Sequence, residues 1–143
     1  YMPVLLGDGS GASQPWPQGS PDPMTTITWQ SWVELNPTIA DELGVKSGDI
    51  LRVTSVHGEI EAPAYVYPGI RPDTVAIPLG QGHTDLGRYA RDRGSSPIQL
   101  AGAQGDRLAW ANLRVKIERT GEHKPSAVFE STIEPEEFVH NPV

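Results

Sequence analysis

Glycine and proline punctuate this chain from end to end. They number 15 and 14 among 143 residues, about a fifth of the chain where roughly 12% is usual. Both residues break helices, glycine through backbone entropy and proline through its missing N–H. The composition therefore disfavours a helical bundle and favours short strands joined by many turns. The length suits a single domain with one core.

Residues 1 to 26 are the most heavily interrupted. Gly7-Asp8-Gly9-Ser10-Gly11 and Pro15-Trp16-Pro17-Gln18-Gly19-Ser20-Pro21-Asp22-Pro23 cannot hold a long regular helix. Flexible linkers lack large apolar side chains; Trp16, together with Trp29 and Trp32, indicates an arm packed on a surface. The segment from Met24 to Trp32 is rich in β-formers. Asn36-Pro37-Thr38-Ile39-Ala40-Asp41-Glu42-Leu43-Gly44 reads as a helix. Asn36 is an N-cap, Pro37 fits the first turn, and Gly44 suits the left-handed position beyond the end. Ile39 and Leu43, four apart, share a face.

Strands follow. Ile50 to Ser55 and Glu59 to Tyr67 flank His57-Gly58, a hairpin signal, and Pro63 predicts an edge or bulge position. Thr74 to Pro78 is a short apolar strand. Residues 84 to 93 can form a helical turn or short helix, and Leu108 to Ile117 reads as a closing strand with Leu113, Val115 and Ile117 on one face. Beyond Thr120 the chain is polar and acidic, with Val128-Phe129 and Phe138-Val139 as candidate docking pairs. The expected division is an arm over 1–26, a barrel over 27–119, and an acidic tail or linker over 120–143. About six short strands, one capped helix and many turns point to a small closed barrel.

Several function classes are disfavoured. The net charge of -7 opposes a general attraction to nucleic acid. No apolar run approaches the roughly 20 residues of a membrane span. The opening Tyr1-Met2-Pro3-Val4-Leu5-Leu6 lacks the basic flank and the apolar length of a signal peptide and reads as cut from a longer protein. With no cysteine, the chain offers no thiolate for zinc or an iron–sulfur cluster. The four histidines, His57, His83, His123 and His140, have no metal-ligand spacing, and no nucleophile elbow is present. No Lys or Arg precedes Lys46, whereas seven arginines lie between Arg71 and Arg119. They are either ordinary solvated surface or a local anion site.

The run Asn36-Pro37-x-x-Ala40-x-x-Leu43-Gly44-x-x-x-Gly48-Asp49-x-Leu51-x-Val53-x-Ser55-x-x-Gly58 resembles the core signature of the C-terminal molybdopterin dinucleotide-binding domain of molybdopterin oxidoreductases. Two further stretches are similar to one branch of these enzymes. One is Pro68-Gly69-Ile70-Arg71-Pro72-Asp73 continuing through Gly80-Gln81-Gly82-His83-Thr84 to Gly87-Arg88-Tyr89-Ala90 and Gly94. The other is Asp8-Gly9-x-Gly11-Ala12 with Pro15-Trp16-x-Gln18 and Pro21-Asp22-Pro23-Met24. That branch includes polysulfide-reductase-like large subunits and the fused iron–sulfur subunit of alternative complex III.

The resemblance implies a mainly β fold, a double-psi β-barrel of the aspartate-decarboxylase-like type with one or two short helices. It implies a domain that closes over molybdopterin guanine dinucleotide, with redox chemistry in other domains, so the isolated chain is not expected to turn over. Partners would be the catalytic and iron–sulfur domains of the parent oxidoreductase, and membrane-bound subunits of a respiratory complex on the periplasmic or cytoplasmic side. Two departures stand out: Ser10 occupies a place where the family pattern suggests Arg, and Gly19 one where it suggests an acid. Two other readings therefore stand beside the first. One is a structural barrel without cofactor in a quinol-oxidising complex of the alternative complex III type. The other is a free-standing nucleotide- or peptide-binding barrel.

The candidate cofactor-binding residues are Ser10, Gln14, Trp16, Gly80, Gln81, Gly82, His83, Thr84 and Arg88. Glycines let backbone approach a ligand, and successive N–H groups cradle an anion. The Gln81 amide suits a pterin or guanine edge, and His83 can donate to a phosphate or carbonyl. Arg88 and Arg91, three apart, can hold a diphosphate from one helical face. Gln14, Trp16 and Gln18 supply polar and flat apolar contacts. The competing assignments are a tight turn capped by Thr84, salt bridges from the arginines to Asp85 or Asp92, and a Trp16 that covers a core edge.

Overall fold

The computed structural model describes residues 1–104, 107–109, 111 and 113–126. The capped helix forms as its sequence dictates. It is the second of three short helices: α1 (Pro15–Gly19), α2 (Pro37–Leu43) and α3 (Gly87–Ala90). The Asn36 side chain accepts from the Thr38 N–H at 2.9 Å, and Gly44 ends α2 at φ 64°. The face it buries is Ala40 rather than the Ile39–Leu43 pair. Ala40 joins the hydrophobic core, while Leu43 stays 42% exposed.

Five strands make one mixed sheet: β1 (Val33–Leu35), β2 (Asp49–Thr54), β3 (Glu59–Val66), β4 (Val75–Ala76) and β7 (Lys116–His123), in the order β4-β1-β3-β2-β7. A separate hairpin joins β5 (Gly102–Gln104) to β6 (Arg107–Ala109). The β2–β3 hairpin turns at His57-Gly58, where the Ser55 hydroxyl accepts from the N–H groups of both residues. The pair β1–β3 is parallel; the other pairs in the sheet are antiparallel.

Proline 63 is not at an edge. β3 is central, and Pro63 lies where its partner changes: Glu59–Pro63 pair with β2, and Ala64–Val66 pair with β1. The missing N–H falls at this hand-over, where it interrupts neither ladder, as β strands require of a proline. The closing strand expected over 108–117 is divided instead. Residues 107–109 fold back on β5, and β7 begins only at Lys116 and continues to His123. The β-forming stretch from Met24 to Trp32 is mostly irregular, with a turn at Met24-Thr25, a bend at Trp29-Gln30, and Thr26 and Trp29 at positive φ. There, Asp22 gathers the N–H groups of Met24 and Thr25 into a tight loop. The docking pairs after residue 126 lie outside the described residues.

The core gathers Val33, Leu35, Val45, Leu51, Val53, Ile60 and Leu100 with the alanines 40, 62 and 64. Val115 and Ile117 pack against it, half-buried, which agrees with their assigned face. The start of the chain extends the sheet, since Leu79 N–H donates to the Tyr1 carbonyl at 2.8 Å. Among the described residues, no helix is long and apolar enough to cross a membrane.

Candidate functional site

The glycine loop after β4 is where the arm meets the sheet. A Cβ on Gly9 would stand 2.8 Å from His83 Nε2 and 3.2 Å from Gly80 Cα. A Cβ on Gly80 would stand 3.0 Å from Leu6 Cβ. Both glycines have positive φ, 104° and 98°, so backbone conformation and close approach each demand glycine. On the far side, Gly82 N–H donates to the Arg93 carbonyl at 2.7 Å, and Asp92 N–H to the His83 carbonyl at 3.0 Å. Helix α3 packs on the turn Ser10–Ser13. The structure thus brings the Ser10 turn, the loop 80–83 and α3 together.

One interaction locks the arm to the loop. Gln18 and Gln81, 1% and 4% exposed, form a reciprocal amide pair. Gln81 Nε2 donates to Gln18 Oε1 at 2.7 Å, Gln18 Nε2 donates to Gln81 Oε1 at 3.3 Å, and Gln18 Nε2 also reaches the Ala12 carbonyl at 3.0 Å. The Gln81 amide is thereby spent on the arm and is not free for a pterin or guanine edge. Its role is to hold the loop.

The remaining candidates fall into two groups. Ser10, Gln14, Trp16, Thr84 and Arg88 are all exposed. Trp16, at 84%, covers no core edge. Thr84 does not cap α3, whose first residue is Gly87; its hydroxyl reaches Asp85 at 3.4 Å. The helix ends at Ala90, so Arg88 and Arg91 do not share a helical face. Arg88 stacks over the Tyr89 ring and donates to its hydroxyl, while Arg91 donates to the Thr84 carbonyl. Neither arginine makes a salt bridge to Asp85 or Asp92 among the described residues.

His83 differs. Its Nε2 is buried and has no hydrogen-bond partner among the described residues. Leaving such an atom unpaired costs on the order of 1–3 kcal/mol, so it calls for a partner that the described residues do not supply. Gln30 Nε2 is the second such atom, and sequence reasoning missed it. Its only signal was a polar pair, Gln30-Ser31, set between two tryptophans. Ser31 is equally structural: its hydroxyl donates to the Ser95 carbonyl and accepts from the Ser95 N–H, fastening the loop that follows α3. The N–H groups of Gly80 and Gln81 donate to no described residue.

A small cavity beneath the arm, lined by Leu6, Gln18, Gln30 and Gln81 among others, measures about 30 Å³. That is room for a single water. A dinucleotide would lie outside it, on the surface shared by the Ser10 turn, the loop and Arg88. The chemistry offered is recognition: backbone donors, an imidazole nitrogen and an exposed guanidinium suit an anionic, nitrogen-rich ligand. Among the described residues, no group of three or more His, Cys, Asp or Glu could hold a metal.

The family model described as "Molydopterin dinucleotide binding domain" matches residues 22–109. The chain is 33% identical over 138 residues to the arsenate respiratory reductase molybdopterin-containing subunit of Shewanella sp. strain ANA-3, covering 82% of this chain and 16% of that protein. It is 37% identical over 106 residues to the corresponding subunit of Chrysiogenes arsenatis, covering 65% and 12%. It is 30% identical over 71 residues to the menaquinone reductase molybdopterin-binding-like subunit of Nitratidesulfovibrio vulgaris, covering 50% and 10%. The chain therefore spans only a small part of the length of these relatives. On the matched residues and these identities, this chain belongs to the molybdopterin dinucleotide-binding domain family.

Proposed function

We propose that this chain is the cofactor-closing domain of a larger molybdopterin-dependent oxidoreductase, and that it holds molybdopterin guanine dinucleotide where the arm meets the loop Gly80–Thr84. The observation that carries the reading is His83 Nε2, buried and unpartnered against Gly9, within the stretch that matches the family. When bound, the cofactor supplies a redox-active metal held by the pterin. This chain supplies contacts. Backbone N–H groups of Gly80 and Gln81 face an anionic or carbonyl oxygen, His83 Nε2 donates to or accepts from the ligand according to its tautomer, and Arg88 neutralises phosphate charge. Gln18 positions the loop through Gln81. Ser10, Gln14 and Trp16 form an exposed rim for ligand or neighbouring domain.

The same reading treats 1–26 as the arm, 27–119 as the barrel and 120–143 as a tail or linker. It closes the sheet as a double-psi barrel. The parallel β1–β3 pair supports that closure, as does the apolar cleft lined both by Val75 and Ile77 and by Val115 and Ile117. Catalytic and iron–sulfur domains of the parent protein would complete the site, which fits a pocket that is not enclosed by this chain alone.

A second reading has its own support. Ser10 replaces the expected cation, the cavity beneath the arm is water-sized, and one relative is named only molybdopterin-binding-like. On that reading the barrel is structural. Mass spectrometry of the purified parent protein for molybdenum and pterin divides the two: stoichiometric cofactor supports the first, and its absence supports the second.

A further inference from the structure

A second recess, of about 310 Å³, is lined by Tyr1, Met24, Glu34, Tyr65 and Tyr67, and it shares Pro3 and Asp22 with the small cavity beneath the arm. Its rim is apolar and open to solvent: Met2 is 57% exposed, Val4 83% and Met24 66%. Three exposed apolar side chains around one concavity mark an interaction surface rather than scattered surface residues. Tyr65 and Tyr67 stack at 6.3 Å between ring centroids and 29° between planes.

The side-chain charge in this recess is negative, while the Tyr1 ammonium is turned to the Ile77 carbonyl at 3.0 Å. Glu34 Oε1 accepts from both the Tyr1 hydroxyl at 2.6 Å and the Trp32 indole N–H at 2.9 Å, which fixes the carboxylate in place. Oε2 has no partner among the described residues. Asp22 Oδ2 is used by the N–H groups of Met24 and Thr25. Neither acid makes an ion pair among the described residues. The first 45 residues carry five acids and no Lys or Arg, and residues 127–143 contain neither. Burial, together with the Glu34 carboxylate, raises the pKa of both the Tyr1 and Tyr65 phenols, so the rings remain neutral.

We propose that this recess is a docking surface for a protein segment that presents an arginine between apolar residues. The guanidinium would stack on the Tyr65–Tyr67 wall and pair with Glu34 Oε2, while its neighbours cover Met2, Val4 and Met24. Arginine fits better than lysine because its planar group satisfies a ring face and a carboxylate at once. The inference uses none of the residues assigned to the cofactor and goes beyond the cofactor reading.

The test is amide-shift mapping of the isotopically labelled 143-residue chain during titration with acetyl-Leu-Arg-Leu-amide, against the same peptide with citrulline, a neutral isostere. Shifts should cluster at Met24, Glu34, Tyr65 and Tyr67. Citrulline should weaken binding about five- to thirty-fold, the equivalent of a partly desolvated cation–π contact and ion pair. Glu34→Gln should weaken it similarly. Because Glu34 also holds Tyr1 and Trp32, Met24→Lys serves as a second variant: it leaves those hydrogen bonds intact, and its added charge should abolish binding. Equal affinity for both peptides, shifts centred elsewhere, or no saturable shift would overturn the proposal. Neither peptide carries a pterin or phosphate, so a negative result leaves the cofactor reading standing, and failure of the cofactor reading leaves this one untouched.

Discussion

Replacing Gln18 with leucine keeps side-chain volume nearly constant and removes every hydrogen bond that joins the arm to the loop through this residue. Three groups lose their partner at once: the Ala12 carbonyl and both ends of the Gln81 amide. All are at a buried position, and each unpaired buried group costs on the order of 1–3 kcal/mol. Relaxation and entry of a water into the adjacent cavity keep the total below the simple sum, so the expected loss is about 2–4 kcal/mol. With a urea m-value of about 1–3 kcal/mol/M, the unfolding midpoint should fall by roughly 1–2 M. Gln18→Leu/Gln81→Leu provides the sharper comparison. Removing both partners is close to neutral in principle, so the double variant should regain most of the loss, retaining only the cost of the Ala12 carbonyl. A coupling of about 1–3 kcal/mol is expected. If Gln18→Leu is within about 0.5 kcal/mol of the parent, or the two substitutions simply add, the amide pair does not hold the arm.

Gly9→Ala should destabilise by about 1–3 kcal/mol and displace the His83 imidazole, because a Cβ there meets Nε2 at 2.8 Å and φ is 104°; an unchanged His83 ring signal in NMR would contradict this. Asn36→Ala should cost about 1–2 kcal/mol in urea unfolding, as it loses both the cap to Thr38 and the bond from its own amide to the Ile70 carbonyl. For pH, the Lys46 N–H, followed by His123, holds the Asp49 carboxyl below its usual range. A depressed folded pKa means that this contribution is present above the unfolded value, about 3.9, and is lost as pH falls through the folded value. Asp49→Asn should therefore lie below the parent in stability above pH ~4 and converge with it in acid; a constant offset at every pH would refute the assignment.

The sequence made the regular features legible where local chemistry alone decides them. Asn36, Pro37 and Gly44 fix α2 whatever surrounds it, and Ser55 to Gly58 fix the hairpin. Features set by tertiary partners were harder to read. Pro63 looks like an edge residue by propensity, yet it occupies a central strand because the neighbouring strand changes at that point. The β-formers from Met24 to Trp32 yield to Asp22, whose carboxylate organises turns that hydrophobic patterning does not register. At the site, the loop glycines read as approaches to a ligand, whereas the structure brings Gly80 close to Gly9 and Leu6 of the arm. The Gln18–Gln81 pair was not readable, since two glutamines 63 residues apart show no spacing that announces their contact. Gln30 was hidden for the same reason.

The central claim is that a guanine dinucleotide lies where the arm meets the glycine loop. The most direct measurement is amide-shift mapping of the labelled chain titrated with guanosine diphosphate, which stands in for that half of the cofactor. The account predicts saturable shifts at residues 8–11, 80–84 and 88, with Arg88→Ala weakening binding by about ten- to a hundred-fold, the worth of a charge-assisted contact. Shifts clustered elsewhere, an unchanged affinity in Arg88→Ala, or no binding would contradict it; the last result would favour the structural barrel.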